Sequence, residues 1–247
     1  MKFDFSGKRV VLTGGAGDIG VATAELFLEA GATTLLVDNR PDALADAARR
    51  FHGHKGLRTV CSSLESPAAA TKALEAIDGP IFALVYLAGV HIPDPMLPDD
   101  HESWDKTMAS NLTAAYDTSI AFKPRAVVDE PSRLVYITSL AASSGTPREP
   151  GYSASKAGML GLARALARRW APDVLVNSVA PGIIETRMTA RHRADPEYAA
   201  GLLNRIVMRR FGKPAEVASV IGFLCSPGAS YMTGQMVHVN GGAYFSP

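Results

Sequence analysis

The stretch Arg9-Val10-Val11-Leu12-Thr13-Gly14-Gly15-Ala16-Gly17-Asp18-Ile19-Gly20 decides the fold. An apolar run without polar alternation predicts a strand buried on both faces of a parallel sheet. Glycines follow at once, and then a segment with helical spacing begins. Such glycines let the backbone turn sharply and approach a pyrophosphate, which meets unpaired N–H groups at the helix start. A glycine-rich turn alone is a weak signal, because any tight strand–helix connection favours glycine. Its place in the first strand–helix unit strengthens it.

The same alternation continues outward from this turn. Strand-like runs fall at 9–13, 34–37, 57–61, 82–87, 133–138, 175–179 and 236–239, and helical stretches near 20–30, 42–51, 67–77, 104–122, 152–170 and 214–225. Parallel strands need crossover helices, so this rhythm predicts one doubly wound, Rossmann-like α/β domain spanning 1–247. It has about seven parallel strands and helices on both faces. Residues 183–208 break the rhythm and carry Arg187, Arg191, His192, Arg193 and Arg205, with Arg209 and Arg210 just beyond. They follow the carboxyl end of a strand, where α/β proteins bind ligands, and so predict a substrate lid. A helical surface used in subunit packing is the alternative.

Composition narrows the function. Hydrophobic residues make up 47% of the 247, and the mean hydropathy of +0.07 suits a well-filled interior. A net charge of +1 gives no charge-driven reason to bind nucleic acid or an anionic membrane. The longest apolar run, 81–90, is too short to span a membrane. Cys61 and Cys225 are isolated and form no metal-type spacing. With few thiols and no apolar leader at the start, a cytoplasmic protein without a metal is expected.

Asp38 ends the second strand, about 20 residues after the glycine turn, where a carboxylate accepts both hydroxyls of an adenosine ribose and repels a 2′-phosphate. That favours NAD over NADP, although Arg40 nearby offers a phosphate a partner. The bland alternative makes Asp38 a helix cap. At the other end, Tyr152 and Lys156 lie four apart at a helix start and so share one face. Such a pair arises by chance in roughly one chain in five of this composition, so context decides. Ser139 closes the fifth strand, and Asn111 lies in the helix before it. All four converge on the carboxyl edge of the sheet. Oxidising an alcohol requires removal of its proton while a hydride leaves the same carbon. A free tyrosine is only about 0.1% phenolate at pH 7. An ammonium at ~4–5 Å contributes on the order of 4 kcal/mol toward the anion, enough to make Tyr152 a usable base.

The motif 13–20 with Asn111, Ser139, Tyr152 and Lys156 resembles the short-chain dehydrogenase/reductase family over essentially the whole chain. The likeness continues through Pro181-Gly182, Thr186, 210–214, 233–235 and Asn240-Gly241-Gly242. It implies NAD held by Gly14, Asp18, Ile19, Gly20, Asp38, Ser63, Leu64, Ala88, Gly89, Tyr152, Lys156, Pro181, Gly182, Ile184 and Thr186. By the same resemblance Ser139 orients the substrate oxygen, Lys156 also binds the nicotinamide ribose, and Asn111 holds a relay water. Ile184 and Thr186 would meet the carboxamide. The relatives are usually homotetramers or dimers, packed on the helices that here carry Asn111 and Lys156. Small residues at Ala154, Gly158, Gly161 and Ala165 suit such packing, or else simply face the core.

Three positions depart from the family pattern. Asp18 stands at the usual middle glycine, and an aspartate near a pyrophosphate is repulsive unless it points away. Tyr86-Leu87-Ala88-Gly89 replaces Asn-Asn-Ala-Gly, and Ser63 stands where an aspartate commonly meets the adenine.

The leading reading is an NAD-dependent oxidoreductase interconverting a secondary alcohol and a ketone. Candidate pocket residues His91, Ala141, Ser143, Arg148, Glu149 and Ile184 mix charged and small groups, with Ser139, Ala141, Glu149 and Tyr152 expected to touch the substrate. That mixture leans toward a sugar or hydroxy acid. A 3-oxoacyl thioester is the runner-up. A nucleotide-sugar epimerase or dehydratase shares the Tyr–Lys pair but usually needs a longer C-terminal domain. A cofactor-binding regulator without catalysis is disfavoured by retention of all four groups.

Overall fold

The central strand is built from the residues that open the glycine turn: β1 (Arg9–Thr13) buries Val10, Val11 and Leu12 completely. The computed structural model describes residues 2–245; Met1, Ser246, Pro247 and the side chains of Arg191 and His192 lie outside the described residues. Around β1 the strands run β2 (Thr33–Asp38), β3 (Leu57–Cys61), β4 (Ala83–Tyr86), β5 (Ser132–Ile137), β6 (Val174–Pro181) and β7 (Met236–Val239). They form one parallel sheet in the order β3-β2-β1-β4-β5-β6-β7. The chain winds outward to β3, then returns across β1 to start β4. That reversal opens a crevice at the carboxyl ends of β1 and β4, where doubly wound folds bind ligands.

Two apolar layers sandwich the sheet. On one face pack α3 (Pro67–Leu74), α5 (Ala114–Phe122) and α7 (Pro150–Trp170); on the other lie α1 (Asp18–Glu29), α2 (Pro41–Arg50) and α10 (Pro214–Cys225). Pro41, Pro67, Pro150 and Pro214 open four of these helices, where a fixed φ and a missing N–H do no harm. No helix among the described residues is long and apolar enough to cross a membrane.

The differences from expectation have local causes. The stretch 104–122 is α4 (Glu102–Met108) and α5 joined through a π-helical turn at Ala109–Thr113, which buries Asn111. A widened turn of this kind is frequent at functional sites. β5 stops at Ile137, so Ser139 lies two residues past the strand and just before α6 (Ala141–Ser144). β3 leaves Arg58, Thr59 and Cys61 exposed because it is an edge strand. The excursion after β6 holds two helices, α8 (Ala190–Ala194) and α9 (Pro196–Arg205). Of the small-residue stripe on α7, Gly158 lies over Leu112 whereas Gly161 and Ala165 are exposed.

Candidate active site

Three segments meet behind the carboxyl edge of the sheet. Asn111 is wholly buried in the π-helical turn; its Oδ1 accepts from the Val90 amide at 2.7 Å. Its Nδ2 donates to the Val90 carbonyl and to the Ser155 hydroxyl, both at 3.0 Å. Asn111 therefore ties the loop after β4 to α7. At Gly89 the convergence is tightest: a Cβ there would lie 2.8 Å from Asn111 Oδ1 and 3.4 Å from Lys156 Nζ. The amide thus positions the loop, a part the sequence did not foretell.

Tyr152 and Lys156 rise from the first turns of α7 on one face. Lys156 is buried, its Nζ donating to the Ile137 carbonyl at 2.9 Å and lying 5.7 Å from the Tyr152 ring centroid. Burial pushes its ammonium down to about 8. The Tyr152 phenol moves the other way: burial raises it most, a hydrogen bond with the Ser139 hydroxyl lowers it, and Glu149 adds a further rise. Burial thus opposes the phenolate that Lys156 is expected to favour.

Ser139 Oγ, besides meeting Tyr152, accepts from the Ala141 amide at 3.1 Å. Beside Tyr152 lie His91 and Glu149. The His91 ring meets Tyr152 edge-on at 4.5 Å, and its Nε2 lies 3.7 Å from Glu149 Oε1. Glu149 is buried. Arg148 and Ser143 are exposed, and Ala141 is buried at the start of α6.

The glycine turn fits a dinucleotide by its shape. Gly14 has φ +63°, and a Cβ there would come within 2.8 Å of the Ala88 amide nitrogen. At Gly20 a Cβ would meet the Gly14 carbonyl at 2.6 Å. Only glycine permits this close winding. No side chain caps Gly17, the N-cap of α1. Asp38 is buried at the end of β2, its Oδ2 accepting from the Ala16 amide at 3.2 Å. It does not cap α2, whose N-cap is Arg40. Ser63 is exposed, while Leu64 is buried with φ +58°, a conformation a leucine adopts only under local constraint. Ile19 packs at the edge of the core, and Ala88 donates to Thr13 Oγ1 at 3.3 Å. Across the crevice, Gly182 donates to the Val239 carbonyl at 2.9 Å, next to Pro181 at the end of β6. Ile184 is buried, and Thr186 Oγ1 lies 3.2 Å from Thr189 Oγ1.

This arrangement has close parallels. A family model described as enoyl-(acyl carrier protein) reductase matches residues 14–244. The chain is 34% identical over 243 residues to the 3-oxoacyl-[acyl-carrier-protein] reductase FabG of Vibrio harveyi, covering 98% of this chain and 99% of the relative. A solved short-chain dehydrogenase/reductase from Brucella melitensis, described as glucose/ribitol dehydrogenase, superposes with a TM-score of 0.92 at 36% identity over 100% of both chains. The chain belongs to the short-chain dehydrogenase/reductase family. Its members are oxidoreductases acting on CH–OH groups with a nicotinamide cofactor, and the NADP complex of Pseudomonas aeruginosa RhlG superposes with a TM-score of 0.91 at 29% identity, covering 99% of each chain.

Two departures from the short-chain dehydrogenase/reductase pattern find partners here. The Tyr86 hydroxyl donates to the Ser110 carbonyl at 3.1 Å, bracing the turn that holds Asn111. Asp18 turns aside to Arg187, whose backbone N–H donates to its Oδ2 at 2.7 Å. The nucleotide end also holds a surprise. Arg40 lies back on Asp38 with two parallel hydrogen bonds of 2.9 Å while its side chain stays half exposed. A two-residue spacing never revealed that fork.

Proposed function

We propose that this enzyme interconverts a 3-oxoacyl thioester and its 3-hydroxy form with NAD(H), chiefly as a reductase. The observation that carries this reading is the convergence of Ser139, Tyr152 and Lys156 at the carboxyl edge of the sheet, with the Ser139 and Tyr152 hydroxyls in contact. Ser139 and Tyr152 both donate to the ketone oxygen, polarising it. The glycine turn would hold the pyrophosphate of a bound dinucleotide, Asp38 its adenosine ribose and the loop at Ile184 and Thr186 its nicotinamide, which would supply a hydride to the carbonyl carbon. Tyr152 passes its proton to the resulting alkoxide, so ketone, hydride and proton become a secondary alcohol. Lys156, directly behind, stabilises the phenolate left behind. The thioester class rests on full-length similarity to FabG.

A hydroxylated substrate such as a sugar is the second reading, favoured by Glu149. A buried carboxylate beside Tyr152 accepts hydrogen bonds from neighbouring hydroxyls, and it disfavours the carboxylate of a hydroxy acid. The helices of 183–208 serve as the lid over either substrate. Cys61 and Cys225 are both free thiols, in keeping with a cytoplasmic setting.

The cofactor follows from unequal exposure at the end of β2. Asp38 is buried and fixed, whereas the Arg40 side chain is 51% exposed. Arg40 forks onto both oxygens of a buried carboxylate, a stronger charge-assisted contact than an exposed ion pair. Two ribose hydroxyls on a charged acceptor contribute about 1.5–3 kcal/mol each. The ribose hydroxyls thus compete with Arg40 for the same two oxygens, and the reading requires that they displace it. Because the guanidinium partly cancels the charge that repels a 2′-phosphate, the preference for NADH is expected to be about tenfold. Initial rates with NADH and NADPH on an acetoacetyl thioester, beside NAD with polyols and hydroxy acids, test both points. Thioester turnover should exceed the rest in kcat/KM by at least about tenfold. A polyol in the lead establishes the second reading, equal rates with both cofactors make Arg40 a phosphate clamp, and no turnover at all leaves a cofactor-binding regulator.

The assembly is a homo-oligomer, a tetramer or a dimer, packed through α5 and α7. Tyr116 and Ile120 are exposed on α5, and Gly161 on α7 has open space where a side chain would stand. Light scattering at micromolar concentration should give at least twice the chain mass. A monomer removes the claim.

A further inference from the structure

Asp18 is the first residue of α1, and no positive charge lies near it in sequence. Its partner comes from 169 positions away. Arg187 donates its backbone N–H to Asp18 Oδ2 at 2.7 Å, and its Nε lies 3.2 Å from Oδ1. The same guanidinium donates through Nη2 to the Ala16 carbonyl at 2.7 Å. One residue of the excursion after β6 thus grips the glycine turn at two points. Arg187 also directly follows Thr186.

We propose that Arg187 is the counter-charge that allows an acid at the pyrophosphate-binding turn, and that the pair clasps the excursion to that turn. This rests on the dinucleotide reading of the site. A pyrophosphate at the start of α1 is favoured by the N–H groups and the dipole there, and a carboxylate on the same turn opposes it. The guanidinium cancels that charge without moving the backbone. It also fixes the first residue of the excursion after Thr186, so cofactor binding and lid position share one contact. The pair is partly exposed, 58% at Arg187 and 31% at Asp18, so salt screens it.

The clasp makes Arg187 matter chiefly while Asp18 is present, since only the Ala16 carbonyl contact survives without it. Binding of NADH without substrate, followed by nicotinamide fluorescence, reads this directly. Arg187→Ala should weaken NADH about tenfold, and Arg187→Lys much less, since the charge remains. In the Asp18→Gly background, which restores the family glycine, Arg187→Ala should cost less than about threefold, so the two losses are not additive. The Arg187→Ala loss should shrink toward 1 M salt, where the Debye length falls to about 3 Å. An Arg187→Ala variant that binds like the unmodified enzyme overturns the proposal. So does an equal loss in the Asp18 and Gly backgrounds, which would make Arg187 an independent phosphate ligand. Failure of the unmodified enzyme to bind NADH would overturn the dinucleotide reading as well.

Discussion

Tyr152→Phe is expected to lower kcat by about 10³-fold or more while NADH binds within about twofold of the unmodified enzyme. The substitution removes one oxygen and leaves the ring that packs edge-on against His91. It takes away both the proton donor and one of the two hydrogen bonds that polarise the ketone. Ser139 remains, still held by the Ala141 amide, so substrate binding should persist and the loss should fall on kcat rather than KM. A stopped-flow single turnover with preloaded NADH separates the two. Near-normal turnover would mean that the proton comes from elsewhere, and His91 with Glu149 would be the next pair to examine.

The parts of this protein that the sequence made legible are those in which neighbours along the chain are also neighbours in space. The glycine turn, Asp38 at a strand end, and Tyr152 four residues before Lys156 are all local spacings, and the fold places them as expected. Contacts between distant segments were not legible. Arg187 meets Asp18 only because β6 and β1 deliver their loops to the same crevice. The Arg40 fork depends on a rotamer, and the part played by Asn111 depends on a π-helical turn that no periodicity signals. The sign of the phenol's shift was hidden for a related reason. Spacing alone placed an ammonium beside Tyr152, but burial and the Ile137 carbonyl, which takes a hydrogen bond from Lys156, both come from the sheet below.

That same burial gives Lys156→Met two effects of opposite sign. Activity should fall by at least about 10²-fold, because the phenolate formed on proton transfer loses the cation behind it. Stability without cofactor should rise. The folded protein carries an ammonium with only one carbonyl and a thioether beside it, and burial has lowered it from 10.5 to about 8. At pH 7 the group is charged in both folded and unfolded chains, so the fold bears that penalty, at most about 3 kcal/mol. Methionine is apolar and similar in length. After the lost hydrogen bond to Ile137 is set against the relief, a net gain of about 1–2 kcal/mol is expected, or several degrees in Tm. The pH dependence carries the signature. Between about pH 8 and 10.5 the unfolded chain binds the proton that this group has released in the folded chain, so the penalty from Lys156 fades as pH rises. The methionine variant has no such group. Its advantage should therefore be full at pH 7 and reversed by about 1 kcal/mol at pH 10.5, where mainly the lost hydrogen bond remains. Urea unfolding at both pH values measures the difference, and a variant less stable at pH 7, or a gap that ignores pH, would show that the buried ammonium carries no such penalty.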